Sequence, residues 1–392
     1  MRAGEIKAIL TGKGVSTRGL LDKSDLAAKL MEVSAHEAAP SLKKGQGDEG
    51  MIEIPIFDVS FFAPGSQQQQ QQQQQNSSPG ASKSYLAVDL DIKGRAYRMI
   101  LDSAASMNII TNRVAAEAGL FGTAADSTTI GMGGSGSMFS KMCRLEDGAT
   151  LKSAAAGQGQ VRTRELQFAI LDSPAAIPPT ADGLLGLPFF TSLPKSLVEL
   201  DFSRAVLRCG MDSLPRKTDP NASRLSATPL QRIFTGLRIC TALFDNRVPV
   251  AALVDLGSAY TILNPAAAMA ITGSTSLDQL PLSGLRVAGI DGRPVELRLV
   301  TLGEGGVSLG GQGTSRGGFR VPGPLSLYAG DIPGFRSIGL GPAVPAALVG
   351  MDVLARTGEK SSPGSGSGGQ GLGMKKGRLA FDLAGDWMYL EV

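Results

Sequence analysis

Residues 85–210 and 237–392 run through the same succession of features, and this internal repeat constrains the fold more tightly than anything else in the 392-residue sequence. The first copy opens with a strand and turn, YLAVDLDIKGRAYRMI, and continues into LDSAASMNIIT at 101–111. The second opens with LRICTALFDNRVPVAAL and continues into VDLGSAYTILN at 254–264. Both pass from an apolar strand into an aspartate, through a turn of small residues, and out along another apolar strand. A helix signal follows in each: Asn112 before VAAEAGL, and Asn264 with Pro265 at the first helical position before AAAMAI. Glycine turns come next, Gly131-Met132-Gly133-Gly134 and Ala288-Gly289-Ile290-Asp291-Gly292. Then come GLLGLPFF at 183–190 and ALVGMDVL at 347–354, and finally the closing strands VELDFSRAVLRCG and RLAFDLAGDWMYLEV. The span from Asp255 to Gly350 is longer than that from Asp102 to Gly186, and the glycine-rich segment Gly303–Gly318 is expected to absorb the difference. Two such copies predict a mainly β fold of two lobes related by a pseudo-twofold axis, each giving one aspartate loop to the seam between them.

Composition narrows the chemistry. The single histidine, His36, rules out a Ser-His-Asp or Cys-His relay in either repeat, and no His-ligated zinc or haem site is expected. Cys143, Cys209 and Cys240 are too few and too scattered for a zinc ribbon or a disulfide framework, so they read as reduced thiols. Neither a metal nor a cofactor is expected. A net charge of +3, from 38 basic and 35 acidic side chains, is too weak for a dedicated nucleic-acid binder. What remains for chemistry is carboxylates. No run approaches the ~18 apolar residues of a membrane span. The opening MRAGEIKAIL places Glu5 and Lys7 where a signal peptide needs an apolar block, so a soluble, intracellular, cytoplasmic and monomeric protein is expected, with a plastid or other organelle open if a segment precedes this start.

An Asp followed by small and hydroxyl residues between apolar strands, a later glycine turn and an apolar-apolar-Gly element, in that order, make the chain resemble a tandem, single-chain version of the retropepsin-like aspartic proteases over about 300 residues. The resemblance implies an aspartic endopeptidase whose dyad is Asp102 and Asp255, acting on a peptide or protein substrate. Two carboxyls about 3 Å apart can share one proton, so that one activates water while the other protonates the scissile carbonyl. Ser103, Ala104 and Ser106 in the first loop, and Gly257 and Ser258 in the second, are the supporting residues. Gly131, Met132, Gly133 and Gly134, with Gly289, Ile290, Asp291 and Gly292, resemble the family's flaps, although glycine-rich turns are as often plain turns. The second loop departs from the family pattern. Leu256 stands where Ser or Thr is expected and Ala259 replaces a later hydroxyl, which removes an inter-loop hydrogen bond. Three readings stay open: an active protease, a weak or inactive protease-like scaffold that binds peptides by strand addition, and an unrelated β-protein. In the bland alternative for Asp255, it simply ends a strand and caps a turn.

Outside the repeats, Ile6, Ile9 and Leu10, then Gly14, then Leu26, Leu30 and Val33 predict two short helices around a turn, with Ser24 as N-cap of the second. The stretch EIKAILTGKGVSTRGLLDKSDLAAKL resembles the SAP-like helix-loop-helix at the C-terminal end of mesencephalic astrocyte-derived neurotrophic factor proteins. That resemblance implies a docking module. Its basic residues alternate with acids, which favours a protein partner over DNA; a solvated hairpin with no partner is the alternative. The expected division is a module at 1–34, and a linker at 35–84 holding the strand-like IEIPIFDVSFF and the tract Gln67–Gln75. The first lobe follows at 85–212, an inter-lobe linker at 213–236, and the second lobe at 237–392 with a Gly/Ser insertion at Ser361–Gly373.

Overall fold

The computed structural model describes residues 51–60, 84–121, 125–130, 137–153, 159–171, 177–211, 225–288, 294–310, 319–356 and 377–391. The N-terminal module, the glutamine tract, the Ser361–Gly373 segment and both candidate flap turns lie outside these residues. The rest is mainly β, with a few short helices.

Each repeat folds into a ten-stranded sheet, and the two sheets have one strand order. The first runs 125–130, 137–145, 166–171, 108–111, 183–185, 95–101, 84–92, 150–152, 160–162, with 57–60 added beside 84–92. The second runs 282–288, 294–302, 325–329, 262–263, 346–349, 248–254, 238–244, 307–309, 319–321, with 231–232 added beside 238–244. The sequence pattern dictates the strands that carry the aspartates. Arg95–Leu101 and Val248–Val254 are exposed or half-exposed at the hairpin end and fully buried over their last three residues. Alternation sends Tyr97, Met99 and Leu101 into the main core, and Ile100 to a smaller cluster on the opposite face. Each strand therefore delivers its aspartate from a fixed, two-sided apolar sandwich.

A third, six-stranded sheet joins the halves. Its order is 52–55, 206–209, 197–201, 378–382, 387–391, 225–229, all neighbours antiparallel. The closing hairpin of each repeat meets the other at its centre, where Glu199 faces Ala380. One face of this sheet carries Val198, Leu200, Leu379, Phe381 and Leu390 into the main core. The other carries a buried charge network: Arg208 bonds Glu199, Asp201 (2.9 Å) and Glu53 (3.0 Å), while Arg378 of the second repeat reaches Glu391 (3.3 Å) and Glu199 (3.7 Å). Paired in this way, the carboxylates can be held out of water.

Three expectations change. IEIPIFDVSFF is not one strand: it breaks at Ile56, whose N–H bonds the Ala205 carbonyl (2.8 Å), so that Ile52–Pro55 enters the joining sheet and Phe57–Ser60 the first lobe's sheet. The expected inter-lobe linker does the same, Leu225–Pro229 and Gln231–Arg232 being strands that bend at Leu230. A proline next to each bend, Pro55 and Pro229, has no N–H to lose at the point where pairing changes sheets. The Gly303–Gly318 segment absorbs little of the length difference. It contains the strand Val307–Leu309, and the interval from that strand to Phe319–Val321 is only two residues longer than the interval from Thr150–Lys152 to Gln160–Arg162. The rest of the difference comes from the longer helix Pro265–Thr272 with the turn Leu277–Gln279, and from the helix Pro333–Ser337.

Candidate active site

Each aspartate loop is bolted down in the same way. The Asp102 N–H donates to the Leu185 carbonyl and the Asp255 N–H to the Val349 carbonyl, both at 2.9 Å. On the outgoing strands the acceptors are Asn108 Oδ1 for the Gly186 N–H and Thr261 Oγ1 for the Gly350 N–H, both at 3.0 Å. Both acceptor side chains are fully buried, so these bonds are not exchanged for water. A side chain at Gly186 would sit 2.3 Å from the Met107 carbonyl oxygen, and one at Gly350 2.5 Å from that of Tyr260. Glycine is needed at both positions because the backbones cross there. Leu184-Leu185 and Leu348-Val349 supply the strands beneath the loops, as the sequence suggested. The helix after each outgoing strand is capped by Thr111 in the first repeat, one residue earlier than Asn112, and by Asn264 in the second.

These supports bring the carboxyls of Asp102 and Asp255 side by side across the seam. The Ala104 N–H donates to Asp102 Oδ1 at 2.9 Å, and the Gly257 N–H to Asp255 Oδ1 at 2.7 Å. An added Cβ at Gly257 would lie 2.6 Å from Asp102 Cγ, so only a glycine lets the opposite carboxyl approach this closely. Burial pushes both carboxyls above the ordinary aspartate value, and Asp255 well above it, because the neighbouring Asp102 charge opposes its ionisation. The two carboxyls therefore titrate as a pair, the ionisation of one opposing that of the other.

Ser103 ties loop to loop. Its Oγ donates to the Val254 carbonyl (2.7 Å) and accepts from the Leu256 N–H (3.1 Å). Leu256, fully buried, offers no polar atom in return. Ser258 turns inward on its own loop, donating to the Tyr260 carbonyl (2.8 Å). Ser106 stays half-buried beside the first loop.

Two features escaped sequence reasoning. Thr261 Oγ1 also bonds Asp352 Oδ1 (2.7 Å), so the Asp in ALVGMDVL clamps the second loop, a role that Pro188 cannot perform in the first. The signal was present as the mismatch between GLP and GMD. Tyr260 and Tyr328 also meet edge to face, their ring centroids 5.0 Å apart; nothing in their spacing announced this.

The aspartyl protease family model matches residues 88–189, a span that contains Asp102 and Gly186. No curated protein matches the sequence. Among solved structures, basic 7S globulin from soybean is 11% identical, with a TM-score of 0.47 over 87% of this chain and 95% of that one. Conglutin gamma from lupine seeds is 12% identical, with a TM-score of 0.43 over 87% and 95%. An aspartic proteinase from Irpex lacteus is 13% identical, with a TM-score of 0.40 over 87% and 97%.

Proposed function

We propose that the chain is an aspartic-type endopeptidase that hydrolyses peptide bonds with a water activated by Asp102 and Asp255. The observation that carries this reading is the close approach of two carboxyls, one from each lobe, on loops of matching construction, with Gly257 packed so near Asp102 that a Cβ there would lie 2.6 Å from its Cγ. In the resting pair Asp255 holds the proton and Asp102 is the carboxylate. Asp102 takes a proton from the water as its oxygen attacks the scissile carbonyl carbon, and Asp255 gives its proton to the carbonyl oxygen. The tetrahedral intermediate then collapses: the C–N bond breaks, the leaving amine takes a proton from Asp102, and Asp255 recovers its proton from the gem-diol hydroxyl.

A second reading is favoured by one observation. Leu256 removes half of the cross-lobe hydroxyl bonding, and dyad chemistry depends on sub-ångström placement. In that reading the chain binds extended peptides without turnover, and the module at 1–34 recruits a partner. Incubation with denatured casein between about pH 3 and pH 7 separates the two. Cleavage that is lost in both Asp102→Asn and Asp255→Asn supports the peptidase; peptide binding without cleavage by the unmodified chain supports the scaffold.

A further inference from the structure

The joining sheet brings the two closing hairpins together strand to strand, yet their equivalent positions carry unlike residues. Each hairpin turns just after an aspartate: Asp201 lies opposite Val206 and Asp382 opposite Trp387, across turns of equal length. Counted back from those aspartates, Glu199 corresponds to Ala380 and Leu197 to Arg378. At the junction Leu197 lies opposite Asp382, Glu199 opposite Ala380 and Asp201 opposite Arg378, so the pseudo-twofold axis passes through the pair Glu199–Ala380. The charges follow the same inequality. On the first-repeat side Arg208 contacts Glu199, Asp201 (2.9 Å) and Glu53 (3.0 Å), one base among three carboxylates. A second base comes from the other repeat: Arg378, opposite Asp201, is 3.7 Å from Glu199 Oε2. Glu199, Asp201, Arg208 and Arg378 are all buried, and Ala380 puts no polar side-chain atom opposite Glu199.

The register shows what a second copy of the first repeat would bring to the same place. Across the axis another Glu199 would replace Ala380, and another Leu197 would replace Arg378. Two buried carboxylates would then face each other, and Asp201 would face an aliphatic side chain in place of a base. Like charges directly opposite each other in a sheet are destabilising, and a buried charge that loses its partner is strongly so. The second repeat carries no such bar. Set against itself in this register, Ala380 would face Ala380 and Arg378 would face Asp382.

We infer that the strand Leu197–Asp201 is a partner-selecting surface, which accepts a strand with a small residue opposite Glu199 and a base opposite Asp201. Its partner is the second repeat, of the same chain or of another copy, and never another first repeat. A seam made of two first repeats, with two Asp102 loops, is thereby closed to this protein. The inference stands apart from the peptidase reading, since it concerns which halves meet and not what their aspartates do.

The test is made in the full chain, with Trp387 as the probe, because it is the sole tryptophan and lies buried in the joining sheet. Ala380→Glu gives the second repeat the acid that a first repeat would present, and Ala380→Gln adds the same bulk without the charge. In urea unfolding followed by tryptophan fluorescence, the midpoint of Ala380→Glu should fall about 1 M or more below that of Ala380→Gln. Failure of Ala380→Glu to fold at all, while Ala380→Gln folds, would support the inference in the same sense. The converse exchange, Leu197→Arg with Glu199→Ala, gives the first repeat the second repeat's residues and should keep the joining sheet closed, with Trp387 still buried in the absence of urea. Equal losses in the Glu and Gln variants would show that bulk and not charge governs the junction and would overturn the inference. So would a Leu197→Arg, Glu199→Ala chain whose tryptophan is exposed to solvent before urea is added.

Discussion

Replacing Ser103 with alanine removes two hydrogen bonds that run from one loop to the other. The hydroxyl donates to the Val254 carbonyl at 2.7 Å and accepts from the Leu256 N–H at 3.1 Å, and no reciprocal hydroxyl stands at Leu256 to compensate. Each bond contributes about 1 kcal/mol net, and each buried backbone group left without a partner adds a penalty, so the expected loss is roughly 2–4 kcal/mol. For domains of this size that lowers the melting temperature by about 5–15 °C. The chemical consequence is larger. With the lobes free to shift by a fraction of an ångström the shared proton is no longer held between the two carboxyls, and kcat/KM for a peptide substrate should fall about 100-fold. Ser103→Thr, which keeps the hydroxyl, should recover most of both losses. Calorimetry and a fluorogenic peptide assay on the three proteins read the two effects. A Ser103→Ala chain that melts within about 1 °C of the parent and keeps its kcat/KM would refute the argument that this hydroxyl organises the site.

Gly257→Ala should abolish activity, because its Cβ would lie 2.6 Å from Asp102 Cγ, whereas Ala104→Gly should retain it; the same peptide assay measures both. Asp255→Asn should change the pH dependence of stability in a definite direction. Burial, then the Asp102 charge, raises the Asp255 value in the folded chain. Its protonated form is therefore fully stabilising at low pH, and stability is lost as pH climbs from the ordinary aspartate range through the raised value. The variant should melt higher than the parent near neutral pH and about equally in acid, by calorimetry. Arg208→Met leaves Glu199 buried with its principal partner gone and should cost about 3–5 kcal/mol in urea unfolding, while the double replacement Arg208→Met with Glu199→Met should recover most of it. Burial pushes Cys143 up to about 11, and Cys209 and Cys240 up to about 12, so a thiol reagent near neutral pH should modify none of them until the chain is unfolded.

The sequence displayed the dyad because its determinants are local: an apolar strand, an aspartate, small residues, an apolar strand, written twice. The crossing glycines were legible for the same reason, since Gly186 and Gly350 each follow a pair of aliphatic residues. What was not legible depends on partners distant in the chain. Leu225–Pro229 reads as linker because its polar-apolar mixture gains meaning only beside Trp387–Glu391. Arg208, Glu199 and Arg378 read as ordinary surface charges on amphipathic strands, yet they lie buried across the junction of the repeats. Thr111 rather than Asn112 caps the helix because Thr111, the last residue of the strand, keeps its extended backbone while its Oγ1 accepts the Val114 N–H (3.3 Å), which leaves Asn112 as the first helical residue. The contact of Tyr260 with Tyr328 joins two separate segments, and no periodicity within either could show it.

The account stands most directly on the titration of two side chains. In protein labelled with carbon-13 at the aspartate carboxyl, the Asp102 and Asp255 signals should titrate in two well-separated steps that belong to the pair. Asp255 should be the later to ionise, and in Asp102→Asn its transition should move down in pH, because a neighbouring negative charge has been removed. Two independent transitions at the ordinary aspartate value, unchanged when the partner is neutralised, would contradict the existence of the dyad.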